Sequence, residues 1–275
     1  MSMKMVFCAL PLLLSVGSVP LITGHYVFSR FMFNKTVTEQ WEYVRNISIG
    51  EAADSGLWDQ YMPLYDIYSE DIRCGRGAWV SGGETKTARV VAGDEVGFVV
   101  GRSADEPLEP YIIYHNGPGQ AYLSKHEPLS SASSAEKDAD LSSYTGSGPW
   151  YKIASRGALN DTWWMTRDQT GMNFTIPKTT PPGNYLLRVE HLYVRPWFNM
   201  TQFYVACAHV EILQPQTTGA GTDSSVKVPG DEYMVNFPGA YDLNDEGILV
   251  QEHIYEWPNS GLLQYKAPGP PVWTG

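Results

Sequence analysis

Short runs of β-branched and aromatic residues, each bounded by glycine or proline, confine this chain to an all-β fold. Thr87–Val91 and Glu95–Val100 flank Ala92-Gly93-Asp94 and read as two strands joined by a tight turn. Tyr111–Tyr114 and Gln120–Lys125 are two further runs. Met172–Ile176 stops at Pro181-Pro182-Gly183, and Asn184–Leu192 then alternates with a strand period. Phe203–Leu213 is the last long run. Long segments with helical periodicity are scarce. The pattern predicts an immunoglobulin/fibronectin-like antiparallel β-sandwich with long surface loops. The loops are Lys35–Ile72, which carries Trp41, Tyr43, Trp58, Tyr61, Tyr65 and Tyr68, and the Ser- and Ala-rich stretch Ser130–Ser147. Segments this long in a compact domain usually serve function, and exposed rings can carry sugars. Pro268-Gly269-Pro270-Pro271 reads as an extended tail over the domain.

The amino terminus reads as an export signal: Lys4, an apolar run over Phe7–Leu14, and a short segment closing in Thr23-Gly24. Cleavage after Gly24 makes residues 1–24 the signal and leaves 25–275 as one domain with no separate carbohydrate-binding module. Export fixes the reading of the cysteines. Cys8 lies in the signal, so Cys74 and Cys207 remain and are expected to pair. That bond closes a loop of more than a hundred residues and contributes roughly 4–5 kcal/mol in the chain-entropy model. The sequons at Asn34, Asn46, Asn160, Asn173 and Asn199 fit a secreted, extracellular glycoprotein. No later apolar stretch reaches bilayer-spanning length. The net charge of −11 disfavours nucleic acid and anionic membranes and leaves an uncharged polymer as the better partner.

Cleavage after Gly24 also makes His25 the first residue. An N-terminal histidine offers two donors, the free amine and the imidazole, and one more histidine completes a three-nitrogen site suited to Cu(II). Among the remaining histidines, His115 lies in the tight turn His115-Asn116-Gly117-Pro118-Gly119-Gln120 after an apolar run. Gln202 and Tyr204 share one side of their strand, with Cys207 and His209 on the other.

These pieces resemble the fungal lytic polysaccharide monooxygenases of auxiliary activity family 9. The resemblance runs along the whole mature chain, through His25, Asp71-Ile72-Arg73-Cys74, His115-Asn116-Gly117-Pro118 and Tyr122-Leu123-Ser124-Lys125. It continues through Trp150-Tyr151-Lys152-Ile153, the strand from Pro182 to Glu190, Gln202-Phe203-Tyr204, Phe237-Pro238-Gly239-Ala240-Tyr241 and Pro268 to Trp273. It implies one copper ion held by the His25 amine and Nδ1 and by the His115 ring, with Tyr204 axial and Gln202 hydrogen-bonding the oxygen species above the metal. It also implies a β-glucan substrate, O2 or H2O2, an external electron donor, a monomer, and cleavage at C1 or C4. Tyr265, Tyr43 and Tyr26 are the candidate sugar-stacking residues; for Tyr265 the alternative is packing beneath the tail.

The chain departs from the family at Arg195, where most members carry a histidine beside the copper. Arginine is permanently charged and only donates hydrogen bonds, so it can stabilise an anion but cannot carry a proton. Arg195 is therefore a candidate catalytic residue with altered oxygen chemistry. Two other functions fit the same residues: a copper-binding β-sandwich without oxygenase activity, and a polysaccharide-binding protein without metal. A hydrolase lacks a defensible pair of carboxylates.

Overall fold

The computed structural model describes residues 25–47, 60–101, 111–127, 141–215 and 226–275. The expected signal at 1–24, Trp58 and much of the Ser- and Ala-rich stretch lie outside the described residues. Twelve strands form among the described residues. They are β1 (Phe28–Phe33), β2 (Thr36–Val37), β3 (Thr87–Val91), β4 (Glu95–Val100), β5 (Gly119–Lys125) and β6 (Trp150–Arg156). The chain continues with β7 (Ala158–Asn160), β8 (Trp163–Trp164), β9 (Gly171–Thr175), β10 (Gly183–Tyr193), β11 (Gln202–Leu213) and β12 (Met234–Val235). A four-stranded sheet, β2-β1-β4-β9, faces a six-stranded sheet, β12-β6-β5-β10-β11-β3, and β7 pairs with β8. The expected β-sandwich is the observed fold.

The local pairings differ from the reading in two places. The bounds of β3 and β4 are as expected, but the strands do not pair with each other. β3 runs parallel to β11, whereas β4 lies antiparallel between β1 and β9. The Ala92-Gly93-Asp94 turn thus crosses from one sheet to the other, because the buried residues of both strands are shared with different partners. Tyr111–Tyr114 forms no strand. The reading missed β1 and β6, whose alternation is interrupted by arginine and lysine (Arg30 and Lys152).

Period-2 alternation splits β11 between two cores. Tyr204, Ala206, Ala208, Val210 and Ile212 pack between the sheets against Phe31, Phe98, Leu123, Leu187 and Val189. Phe203, Val205 and Cys207 point to the outer face, where Trp150, Leu186, Leu192, Phe237 and Tyr241 cover them. The long segments are therefore covers over the six-stranded sheet. Val44 bridges Ala208 and Leu64 bridges Phe203. The Cys74–Cys207 disulfide, with a sequence separation of 133, ties one cover to the central strand. The tail follows the expected course: the Lys152 ammonium donates to the Pro268 carbonyl at 2.7 Å, and the Trp273 amide donates to the Lys152 carbonyl at 2.8 Å.

Burial on both faces of this sheet has a consequence for alkaline stability. Burial raises the hydroxyls of Tyr122, Tyr151 and Tyr241 well above the ordinary value of 10.0. Their folded values exceed the unfolded ones, so their contribution is complete below pH 10 and is lost above it, at about 1.4 kcal/mol per pH unit for each tyrosine. Lys152, lowered by burial to about 8, works in the opposite direction only between its folded and ordinary values. Melting temperature is expected to fall steeply above pH about 10, with the last part of the phenolate absorbance appearing only as the fold is lost. Phenolate absorbance that rises fully while the fold persists would contradict this.

Candidate metal centre

The site lies where β10 and β11 end. Their pairing is unbroken from Gly183↔Ile212 to Tyr193↔Gln202, which carries both strands out to the same edge. β5 joins alongside, with Gly119 opposite His191. The turn before β5 is pressed against the end of β10: a Cβ on Gly117 would meet the Leu192 carbonyl oxygen at 1.7 Å. Only glycine allows that approach, and the Leu192 amide closes it by donating to the Pro118 carbonyl. His115 is thereby held at the sheet edge. The segment leading into β1 delivers His25 to the same place.

His25 and His115 converge, with ring centroids 5.9 Å apart and planes at 60°. The Tyr204 ring lies 6.3 Å from His25 and 5.8 Å from His115. The His25 Nδ1 and His115 Nε2 atoms are both buried and make no hydrogen bond. Two buried ring nitrogens without a partner are costly, and a lone pair on either is satisfied by a donor or a metal. Burial lowers the proton affinity of both rings. For His25 the next cause is the Arg195 charge. His115 is lowered to about 3, by burial first and then by His191, His25, Arg195 and Arg167. Neutral imidazoles are what a metal requires.

Tyr204 and Gln202 share a face, as their alternation predicts. The Tyr204 hydroxyl donates to Gln202 Oε1 at 2.7 Å, and Gln202 Nε2 donates to the Tyr65 hydroxyl at 3.0 Å. Arg195 also reaches the centre. Its guanidinium lies over the Tyr193 ring at 4.6 Å, and that ring stacks on His115 at 4.1 Å with planes 1° apart. Its backbone amide donates to Thr201 Oγ1 at 3.0 Å, and the Thr201 hydroxyl donates to the Ile248 carbonyl at 2.7 Å.

The three tyrosines expected to carry sugar do not form a binding face. Tyr26 is 4 % exposed; it stacks on Tyr204 at 4.2 Å, and its hydroxyl hydrogen-bonds His191 Nδ1. It is a floor beneath the histidines. Tyr43 packs against the inter-sheet core, and its carbonyl accepts from the His209 amide, seven residues along β11 from Gln202. At strand rise this is roughly 20 Å from the centre. Tyr265 is half-buried, packed edge-on against Trp164 at 5.0 Å, with its hydroxyl donating to the Gly247 carbonyl at 2.6 Å. The packing alternative describes it.

Sequence reasoning missed two contributors. Tyr193 is the ring that joins His115 to Arg195; its place at the end of an alternating strand, two residues after His191, was the available signal. Tyr65 entered only as one of several loop aromatics. No spacing rule connects it to Gln202, because the Leu64↔Phe203 bridge that delivers it is non-local. Of the sequon residues, Asn34, Asn160, Asn173 and Asn199 are exposed, whereas Asn46 is half-buried and accepts from Gln60.

The model for Auxiliary Activity family 9 (formerly GH61) matches residues 25–263, a match that begins at His25. The chain is 37 % identical to AA9 family lytic polysaccharide monooxygenase U of Thermothielavioides terrestris, over 95 % of this chain and 97 % of that protein. It is 35 % identical to monooxygenase C of Emericella nidulans, over 96 % and 98 %. Among solved structures, HiLPMO9B superposes with a TM-score of 0.65 at 24 % identity, covering 91 % of this chain and all of that one. At that identity the superposition speaks for the fold alone.

Proposed function

This chain belongs to Auxiliary Activity family 9 and is a copper-dependent lytic polysaccharide monooxygenase, and from that premise we propose that His25, His115 and Tyr204 hold its copper ion. The observation that supports the assignment is the pair of buried, unpartnered nitrogens, His25 Nδ1 and His115 Nε2, at one strand edge. The donor set is chemically right: two neutral imidazoles and one amine suit Cu(II). Among the described residues no three His, Cys, Asp or Glu side chains group to hold a metal, and we place the third donor at the chain terminus. Cleavage after Gly24 supplies it, as an α-amine whose pKa near ~7.7 lets it bind as the free base. The family match starting at His25 supports that cleavage point and a single domain over 25–275.

A copper ion held there would supply one-electron chemistry with O2 or H2O2 and an external electron donor, for oxidation of a β-1,4-glucan at C1 or C4. The protein side chains set the conditions. Burial raises the Tyr204 hydroxyl well above its ordinary value, so it would face the metal as a neutral group. Gln202 presents an amide fixed from both ends by Tyr204 and Tyr65. Tyr26 and His191 support Tyr204 from below. Arg195 places a permanent positive charge at the edge of the centre through Tyr193, where it stabilises anionic oxygen but hands over no proton. Family members are secreted fungal enzymes, and among the described residues no helix is long and apolar enough to cross a membrane. We assign N-glycans to the five sequons, with Asn199 nearest the centre.

Copper-loaded protein incubated with ascorbate and microcrystalline cellulose is expected to release oxidised oligosaccharides, seen by mass. A copper protein that releases none is the non-oxygenase alternative. Restoring the proton carrier tests Arg195: Arg195→His is expected to raise reductant-driven peroxide formation without substrate by roughly tenfold or more. An unchanged rate would remove Arg195 from the oxygen chemistry.

A further inference from the structure

We propose that the cavity over the Cys74–Cys207 disulfide binds one small aromatic monocarboxylate. Cys207 faces outward from the six-stranded sheet, whereas Tyr204 faces inward, so this site is separate from the copper centre. The proposal goes beyond the copper reading and does not need it.

The first observation is a buried positive charge without a counter-ion. Arg45 is 1 % exposed. Its guanidinium is held by uncharged acceptors: Nε donates to His209 Nε2 at 2.7 Å, and Nη2 donates to the carbonyls of Leu141 and Tyr144 at 2.8 and 2.7 Å. Its backbone amide donates to the Cys207 carbonyl at 2.8 Å, which fixes the residue to the central strand. Among the described residues no carboxylate pairs with it, whereas the equally buried Arg188 has Glu190. A charge taken out of water is costly unless an opposite charge meets it. Burial lowers Arg45 only to about 10, so it stays charged at neutral pH.

The second observation is the space beside that charge. Arg45 lines a cavity of about 290 Å3, close to the smallest small-molecule sites at roughly 300 Å3. With Nε and Nη2 engaged, Nη1 remains for a ligand. Arg73 adds a second guanidinium to the wall. Its Nε donates to the Phe237 carbonyl at 2.6 Å, and its Nη1 meets Glu70 at 3.2 Å. The Glu70 side chain is 74 % exposed, so that pair is screened and weak. Two arginines against one solvated carboxylate leave the cavity one positive charge in excess.

The third observation is the remaining wall. Trp79 borders the cavity and is 63 % exposed. Gly75, Ala78 and the disulfide are apolar, and Thr145 brings the lining's one hydroxyl. An exposed indole beside an apolar wall offers a flat ring a stacking surface.

These features select the ligand. The guanidinium fork matches a carboxylate. An aromatic body covers the indole and the apolar wall, which inorganic phosphate would leave bare. A sugar acid brings several hydroxyls that only Thr145 could meet. The chain's overall charge of −11 opposes polyanions, so a single negative charge is favoured.

The test is calorimetric titration of copper-free protein with 4-hydroxybenzoate, followed in parallel by tryptophan fluorescence. One equivalent is expected to bind per chain. Arg73→Gln is expected to weaken binding about tenfold, as for loss of a hydrogen bond to a charged group. Trp79→Ala is expected to weaken it a few-fold, and Trp79→Phe to keep most of it. Arg45 is left intact because its hydrogen bonds hold the segments covering the sheet. The neutral isostere 4-hydroxybenzamide is expected to bind at least about tenfold more weakly, since it lacks the charge. A parent that binds no 4-hydroxybenzoate would overturn the site, as would Arg73→Gln and Trp79→Ala variants that bind like the parent. Equal binding of the benzamide would remove the carboxylate from recognition. Displacement by equimolar inorganic phosphate or glucuronate would overturn the aromatic class. Because copper is absent throughout, failure here leaves the metal centre untouched, and failure of the metal centre leaves this site standing.

Discussion

His115→Ala is expected to lower Cu(II) affinity by more than a hundredfold and to abolish release of oxidised oligosaccharides, while leaving the melting temperature of the copper-free protein nearly unchanged. The two effects separate because His115 does little for the fold. It is half-buried in a turn whose geometry is set by Gly117 and by the Leu192–Pro118 hydrogen bond. Its Nε2 makes no hydrogen bond that the fold would lose. In the proposed centre, by contrast, it would supply one of three nitrogens, and even groups that merely orient ligands are typically worth 10–100-fold in affinity. Titration of Cu(II) by calorimetry and the spin-resonance signal of the bound ion read the first effect, and product mass spectrometry reads the second. A variant that binds copper as tightly as the parent would place the ion elsewhere.

Glu190→Gln is expected to produce the largest loss of stability from a single isosteric change away from the metal. Arg188 and Glu190 stand two residues apart on the outer face of β10, each with no exposed surface, and their side chains meet at 2.7 Å. Further partners surround them, although Arg188 Nη1 itself has none. Arg188 donates to the carbonyls of Ile72 and Arg73 at 2.9 Å and lies over the Phe237 ring at 4.0 Å. Glu190 accepts from Gln120 at 3.0 Å and from the Tyr241 hydroxyl. Neutralising Glu190 leaves the Arg188 charge buried and unpaired, which destabilises by about 3–5 kcal/mol. For a domain of this size that is a fall in melting temperature of roughly 6–20 °C, read by thermal denaturation. A fall of less than about 2 °C would mean that the pair is not the clamp between the covers and the sheet.

The fold was legible because its cause is local. Alternation in Asn184–Leu192 and Phe203–Leu213 located the central strands to within a residue or two, and correctly separated Gln202 and Tyr204 from Cys207. What alternation cannot carry is partnership. β3 and β4 look like a hairpin by sequence, yet each pairs with a strand far away in the chain. The charged pair on β10 was equally hidden. Arg188 and Glu190 on one face suggest a solvated strand, and only the covering segments 72–73 and 237–241 make the pair buried.

The proposed metal centre was legible for a different reason: its proposed donors are rare residue types at diagnostic places, an expected first histidine and a turn histidine. The surroundings were not. Tyr26 follows His25 in sequence and so looked exposed, but the chain turns it into the floor of the site. Tyr193 and Tyr65 act through contacts whose sequence separations carry no pattern.

The most direct test of this account is a Cu(II) titration of two otherwise identical proteins, one beginning at His25 and one carrying Leu21-Ile22-Thr23-Gly24 ahead of it. The free amine of His25 is the only donor that differs. The protein beginning at His25 is expected to bind one Cu(II) tightly, with a three-nitrogen spin-resonance signature, and the extended protein to bind it more weakly by orders of magnitude. Equal affinity and equal signatures in the two would contradict the assignment of the chain terminus to the metal.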